Sequence, residues 1–337
     1  MTDIAEFITP LLRGEELTAD QAEEMLERIL SGAVSDIQIA AVLSAMAARG
    51  ESSEEILGAV SALRSKSLKI RAPQNAVDCC GTGGDHAHTV NISTAVSFVL
   101  AACGVPVAKH GNRASSSKSG AADVLEALGL NLSAANNTVQ KSMDDHNICF
   151  LMAPVYNPAI AHVGPVRKAL KARTIFNLLG PLLNPAGTQQ QLIGVFDKRW
   201  AEPMAEVLNR LGTKHAWIVW GHDGLDEITT TTSTGVVELK DGQIRQFEIN
   251  PTDYGLALAD PADLKGGDAA YNAAALTAVL NGAKNAYRDI VLINSAAALI
   301  VAGQAADLHD GILQARRAID DGRAMQKLQD MIGTYNG

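Results

Sequence analysis

Glycines occupy three of four positions at Gly81, Gly83 and Gly84, in the run Asp78-Cys79-Cys80-Gly81-Thr82-Gly83-Gly84-Asp85. A short apolar stretch, 76–80, precedes them and reads as a strand. Glycines so placed allow positive φ, expose successive backbone N–H groups and let an anion approach the main chain. An ordinary tight turn would use the same residues. The run lacks the Gly-Lys-Ser/Thr of a nucleotide-binding P-loop, and its glycine spacing is not that of a dinucleotide fold. Thr89, Asn91, Ser93 and Thr94 then crowd the start of a predicted helix, 93–103, where hydroxyls and free amides suit phosphate.

A second run, 109–120, holds Lys109, His110, Gly111, Asn112, Arg113, Ala114, Ser115, Ser116, Ser117, Lys118, Ser119 and Gly120. Lys109 and Arg113 can neutralise phosphate and the serines can hydrogen-bond it. A solvated basic loop is the competing reading. The loop follows a predicted strand, 105–108, and α/β sheets bind ligands beyond the carboxyl ends of their strands. A third run, Gly221-His222-Asp223-Gly224-Leu225-Asp226-Glu227, also follows a predicted strand, 216–220. Its adjacent acids supply hard oxygens of the kind Mg²⁺ shares with substrate phosphates, although acid pairs are common on surfaces. In the fourth, Arg167 can clamp a carboxylate bidentately, while Lys168 faces elsewhere on the helix and is solvated. Arg173 to Pro185 reads as a crossing with two turns, and Arg173 as a structural ion-pair partner.

The elements that must carry these runs differ along the chain. The first seventy residues read as helices only. Capping boxes at Thr18/Gln21, Ser35/Gln38 and Ser52/Glu55 open them, and Gly14, Gly32 and Gly50 stand where helices stop. Met25, Leu26, Ile29 and Leu30 form one apolar stripe, and Ile39, Val42, Leu43 and Met46 another. From residue 76 strands alternate with helices. A strand at 148–152 and a hairpin of 235–239 with 244–249 around Asp241-Gly242 complete the pattern, which argues for an α/β sheet. The expected division is a helical lobe over 1–72 with further helical segments at about 157–190, and an α/β lobe over 73–156 and 191–337.

Bulk composition excludes several classes. The chain has 337 residues and a formal net charge of -9, which opposes a surface built to coat nucleic acid. With three Trp, five Tyr and six Phe it is poor in the aromatic platforms that stack single strands. Residues 290–302 are apolar but interrupted by Asn294 and Ser295, and too short for a bilayer. Met1 to Arg13 carries Asp3 and Glu6 and no basic leader segment, so no signal peptide is expected. Cys79, Cys80, Cys103 and Cys149 lack zinc or redox spacing and read as small buried hydrophobes, as in a cytoplasmic protein.

Taken in order, Gly81-Thr82-Gly83-Gly84-Asp85, Asn91-Ile92-Ser93-Thr94, Lys109-His110-Gly111-Asn112-Arg113, Arg173-Thr174-Ile175-Phe176-Asn177 and Asp223-Gly224-Leu225-Asp226-Glu227 resemble the anthranilate phosphoribosyltransferase family of tryptophan biosynthesis. The resemblance covers nearly the whole chain. It implies an α/β fold of the nucleoside phosphorylase and phosphoribosyltransferase type, with a small helical lobe and a central, mostly parallel sheet. It implies phosphoribosyl pyrophosphate and anthranilate as substrates, Mg²⁺ as cofactor, and a cytoplasmic homodimer formed through the helical lobe. By the same resemblance the donor meets Gly81, Gly84, Asp85, Thr89, Asn91, Ile92, Ser93, Thr94, Lys109, His110, Gly111, Asn112, Arg113, Ala114, Ser115, Ser116, Ser117 and Ala121. The acceptor meets Gly81, Asn112, Asn157 and Arg167, and Ser93, Asp226 and Glu227 hold the metal.

Three departures stand out. The family's His-Pro-Ala-Met-Lys reads Asn157-Pro158-Ala159-Ile160-Ala161 here, without imidazole or lysine. His86 and Lys171 stand where glycine is usual. The chemistry implied is attack of a neutral aromatic amine on the donor's C1 through an oxocarbenium-like transition state, carried by positioning and leaving-group stabilisation, with no cysteine nucleophile. A nucleoside phosphorylase of the same fold is the alternative activity. A nucleic-acid-binding relative is disfavoured by the acidic charge.

Overall fold

The computed structural model describes residues 2–114 and 118–337. The chain forms two compact units, one of residues 1–69 with 153–185, the other of 70–152 with 186–337. The boundaries expected at 72, 157 and 190 lie a few residues further along the chain.

The first unit is helical. Helices Ala5–Leu12, Ala19–Leu30, Asp36–Arg49 and Ser53–Lys66 bury both apolar stripes read from the sequence. Each large aliphatic side chain so buried contributes about 1.5–3 kcal/mol. Thr18 and Ser52 form complete capping boxes. Ser35 caps the Gln38 N–H, but the Gln38 side chain donates to Asp3 instead of returning, so the second box is half made. Glu55 does more than cap. It is fully buried, pairs with Arg49, and accepts from the N–H groups of Leu17 and Ser52. Gly58 lets helices Ala19–Leu30 and Ser53–Lys66 approach closely, since a Cβ there would press on the backbone of Ala19 and Glu23. The later part of this unit is broken into short pieces, a 3₁₀ turn Pro158–Val163, helix Gly164–Leu170 and helix Phe176–Leu179. Lys171 ends the second of these in the left-handed region, φ 50°, where the family's glycine would cost nothing.

The second unit is built on a seven-stranded sheet: β1 Val77–Gly81, β2 Val107–Gly111, β3 Ile148–Met152, β4 Gln190–Gly194, β5 His215–Gly221, β6 Thr234–Lys240 and β7 Gln243–Ile249. Their order is β3-β2-β1-β4-β5-β6-β7. The first five run parallel, and β6 and β7 add an antiparallel edge. The α/β sheet expected from the alternation, and the mostly parallel strands implied by the family resemblance, are therefore present. Asp241 (φ 48°) and Gly242 (φ 82°) make the hairpin turn. β4 was not legible, because it opens on Gln190 and Gln191 rather than on apolar residues. β2 also differs from expectation. It runs through Lys109, His110 and Gly111, which places all three in the sheet rather than in the following loop. Helix Ala286–Val301 is buried along nearly its whole length. No helix among the described residues is long and apolar enough to cross a membrane.

Candidate active site

The sheet order reverses at β1, whose neighbours β2 and β4 lie on opposite sides and extend in opposite directions along the sheet. Such a switch point opens a crevice beyond the carboxyl ends of the strands. Gly81 and Gly194 end β1 and β4 and lie opposite each other. The Thr82 N–H donates to the Gly194 carbonyl at 2.9 Å, so the glycine loop starts in the crevice.

The acidic turn after β5 lies across the same point. The Asp226 carboxylate accepts from the Gly83 N–H at 2.7 Å. A Cβ on Gly81 would collide with that carboxylate, and one on Gly194 with the Asp226 backbone. Both glycines are therefore required by the close approach of Asp226. The carboxyl groups of Asp226 and Asp85 also meet, and Glu227 accepts from the Ser93 N–H at the start of helix Ile92–Ala102. Burial raises the Asp226 carboxyl well above the usual carboxylate range, and the charges of Asp85 and Glu227 push the same way. Glu227 is pushed up to about 8, again by burial first, with Lys109 opposing and Asp85 adding to the rise. Lys109 is itself buried. Desolvation works against its charge, yet Cys79, Asp78, Cys80 and Glu227 around it hold the ammonium above its ordinary value.

Clustered carboxylates with raised affinity for positive charge, a helix N-terminus and a nearby serine form a donor set that suits a hard divalent cation. Among the described residues no three His, Cys, Asp or Glu side chains make a metal cage unaided. Mg²⁺ takes one or two carboxylates and completes its shell with water and phosphate oxygens.

The remaining expected residues divide. Asn91 does not cap its helix. Its carboxamide accepts from Asn272 and donates to the Ser119 carbonyl, while Tyr287 donates to its backbone oxygen, so it ties three segments together. Thr89 bridges Lys265 as part of a zipped segment in which Val90 N–H donates to Leu264 and Gly266 N–H to the His88 carbonyl. Ile92 and Thr94 are buried. His110 is buried, with its N–H on Asp78. Gly111 lies against Phe150 and Ala121, where a side chain would not fit. Asn112 is exposed and accepts from the Arg113 N–H.

Arg113, expected on the donor, is instead bound by Asp123 and Glu126 of helix Ala121–Ala127. Asp123 also accepts from the N–H groups of Ala114 and Gly120, which closes the base of the loop. Ser115, Ser116 and Ser117 lie outside the described residues. Gly84 (φ 78°) and His86 (φ 58°) are both left-handed, a conformation that glycine adopts more freely than histidine. Asp85 turns back to accept from Ala87 N–H. Cys79 is buried and its thiol is pushed up to about 12, too high for a nucleophile at neutral pH.

In the helical unit Asn157, expected to face the acceptor, is buried, and its carboxamide oxygen accepts from Ser67. Arg167 is half-buried, with its guanidinium 5.3 Å from the centre of the Phe176 ring and no carboxylate partner among the described residues. Burial pulls its pKa down. Lys168 is exposed. Sequence reasoning missed Asp123, which closes the loop just before its own helix, and Asn272 and Gly194, whose partners lie far away in the chain.

A switch-point crevice lined by a glycine loop, a helix N-terminus and an acidic turn defines a class, an α/β transferase built to hold a phosphorylated sugar. The glycosyl transferase family matches the chain twice, its helical bundle domain over residues 5–67 and its a/b domain over 73–325. Anthranilate phosphoribosyltransferase of Paramagnetospirillum magneticum is 56% identical over 96% of this chain and 93% of its own length. The crystal structure of anthranilate phosphoribosyltransferase from Thermus thermophilus superposes with a TM-score of 0.93 at 38% identity, covering 98% of this chain and 99% of that one. The Saccharomyces cerevisiae enzyme in complex with PRPP and Mg gives 0.91 at 28% identity, over 98% and 97% of the two chains. The chain belongs to the anthranilate phosphoribosyltransferase family.

Proposed function

We infer that the protein transfers the 5-phosphoribosyl group from phosphoribosyl pyrophosphate to the amine of anthranilate, releasing pyrophosphate, with Mg²⁺ held by Ser93, Asp226 and Glu227. The observation that carries this reading is the meeting of the glycine loop, the helix N-terminus and the acidic pair at the reversal of strand order. The relatives named above support the substrates.

In the reaction the amine nitrogen forms a bond to C1 of the ribose as the bond from C1 to the pyrophosphate oxygen breaks, and the ammonium proton is then lost to water. The amine is neutral at pH 7, so no strong base is needed and the chain's task is positioning. The Gly83 N–H and the N-terminus of helix Ile92–Ala102 present positive ends to the phosphates, and buried Lys109 adds a fixed charge. When bound, Mg²⁺ supplies further neutralisation of the leaving group. In the free protein Asp226 occupies the Gly83 N–H, so donor binding replaces a carboxyl oxygen on that amide by a phosphate oxygen. Arg167, stacked on Phe176 and without a counter-ion, takes the carboxylate of the acceptor. Location in the cytoplasm and a homodimer through the helical unit belong to the same proposal.

Loss of anthranilate fluorescence on adding donor and Mg²⁺ tests the reading, with omission of either as the control. Cleavage of a nucleoside by phosphate, with no donor present, would favour the phosphorylase alternative.

A further inference from the structure

The acidic pair lies on a turn, and a turn holds two carboxylates in one geometry only if its flanks are fixed. Both flanks are fixed by side chains outside the pair. Asn294 is fully buried in helix Ala286–Val301, 66 residues further along the chain. Its carboxamide oxygen accepts from the Ile228 N–H at 2.9 Å, and its nitrogen donates to the Ile228 carbonyl at 2.7 Å. The second amide hydrogen goes to the Ile290 carbonyl at 2.8 Å, one helical turn back. The carboxamide thus grips both backbone groups of the residue that follows Glu227, and its two N–H groups are both used.

Asp223 fixes the other flank. One carboxylate oxygen accepts from the Leu225 N–H at 3.1 Å, the residue before Asp226. The other accepts from the Thr229 hydroxyl at 2.7 Å and from the Thr231 hydroxyl. The same carboxylate lies against Gly221, where a Cβ would collide with it. The Gly221 N–H donates to the Leu225 carbonyl at 2.8 Å, which closes the turn beneath.

A fully buried polar side chain is costly unless hydrogen-bonded, and Asn294 directs two of its three bonds to the acidic turn and one to its own helix. The adjacent Ser295 is equally buried, yet its hydroxyl has no partner among the described residues. Position in the helix therefore does not explain the bonds of Asn294; the turn does.

We propose that Asn294 and Asp223 are positioning residues that set Asp226 and Glu227 in the geometry needed to bridge a divalent ion to the donor. This rests on the function inferred above. Neither side chain touches substrate, and both act through the backbone of the turn. Outer groups that orient metal ligands commonly change affinity ten- to a hundredfold when lost.

The test uses Mn²⁺, followed by its electron paramagnetic resonance signal, titrated into full-length protein saturated with phosphoribosyl pyrophosphate. Asn294→Leu keeps the volume and removes the bonds. Asp223→Ala removes the other flank at an exposed position, and circular dichroism and thermal unfolding establish that each variant is folded. Ser295→Ala reports on packing alone. Both positioning variants should weaken Mn²⁺ binding by ten-fold or more and raise the Mg²⁺ concentration for half-maximal rate in step, with the anthranilate KM changed less than two-fold. Ser295→Ala should match wild type in all three. Folded Asn294→Leu or Asp223→Ala with wild-type Mn²⁺ affinity would overturn the assignment of that residue. An equal rise in the anthranilate KM would mean general disorder of the site, and would overturn it as well. Failure of the wild-type protein itself to bind Mn²⁺ with the donor would instead sink the functional reading beneath.

Discussion

At the scale of single residues, charge state is set by burial. The Glu227 carboxyl is pushed from about 4.5 to about 8 by desolvation. Between those values the folded metal-free chain keeps a proton that the unfolded chain has lost, so this group makes folding less favourable as pH rises through the window. Glu227→Gln should flatten that slope and stabilise the protein by roughly 1–3 kcal/mol at pH 8, less than the full shift because the side chain is partly wetted. Urea midpoints in the presence of chelator, at pH 5 and pH 8, measure it. A destabilised variant at pH 8 would contradict the raised value. Arg167 is the counterpart among the cations. Half-buried and without a carboxylate, it has already lost part of its hydration before any ligand arrives. Arg167→Ala should raise the anthranilate KM by ten-fold or more, since a charge-assisted bidentate contact is worth about 1.5–3 kcal/mol, and leave the donor KM within about two-fold. Equal effects on both constants would reject the carboxylate role.

At the scale of elements, the site depends on how closely the acidic turn approaches the ends of β1 and β4. Gly194 has no room for a methyl group, because the Asp226 backbone fills it. Gly194→Ala should push the turn off the sheet, cost a few kcal/mol of stability and lower kcat/KM by at least ten-fold, read by thermal unfolding and by the anthranilate assay. Wild-type activity would show that the approach is not needed. The elements were legible wherever local chemistry specified them. Thr18 and Ser52 announce their helices through complete capping boxes, Asp241-Gly242 announces the hairpin, and the glycine run marks the end of β1. What escaped had non-local causes. Lys109 looks like a loop cation in sequence, yet it is buried within β2 because Asp78, Cys79 and Glu227 gather round it from other segments. Arg113 looks like a phosphate ligand, yet Asp123 and Glu126 claim it one helix later. Gly194 carries no signal at all until Asp226 is placed beside it.

At the scale of the whole molecule, the chain assembles each unit from separated stretches and gathers the glycine loop, the helix N-terminus and the acidic turn at one end of one sheet. Residues 81–94, 109–114 and 221–227 come to the carboxyl ends of parallel strands because the strand order turns at β1. The net charge of -9 does not oppose a polyanionic substrate, since the positive potential there is local, made of backbone amides, a helix N-terminus and Lys109. The acidic pair beside them, raised by burial, gives up its protons to a divalent ion, which then lies between the pair and the pyrophosphate in the proposed site. The most direct measurement is therefore a crystal of the protein grown with phosphoribosyl pyrophosphate and Mn²⁺, with data collected at the manganese edge. An anomalous peak beside Glu227 and Ser93, in contact with the donor's pyrophosphate beyond the ends of β1 and β4, is the expected result. Donor bound in that crevice with no metal near the acidic pair, or bound elsewhere on the sheet, would contradict it.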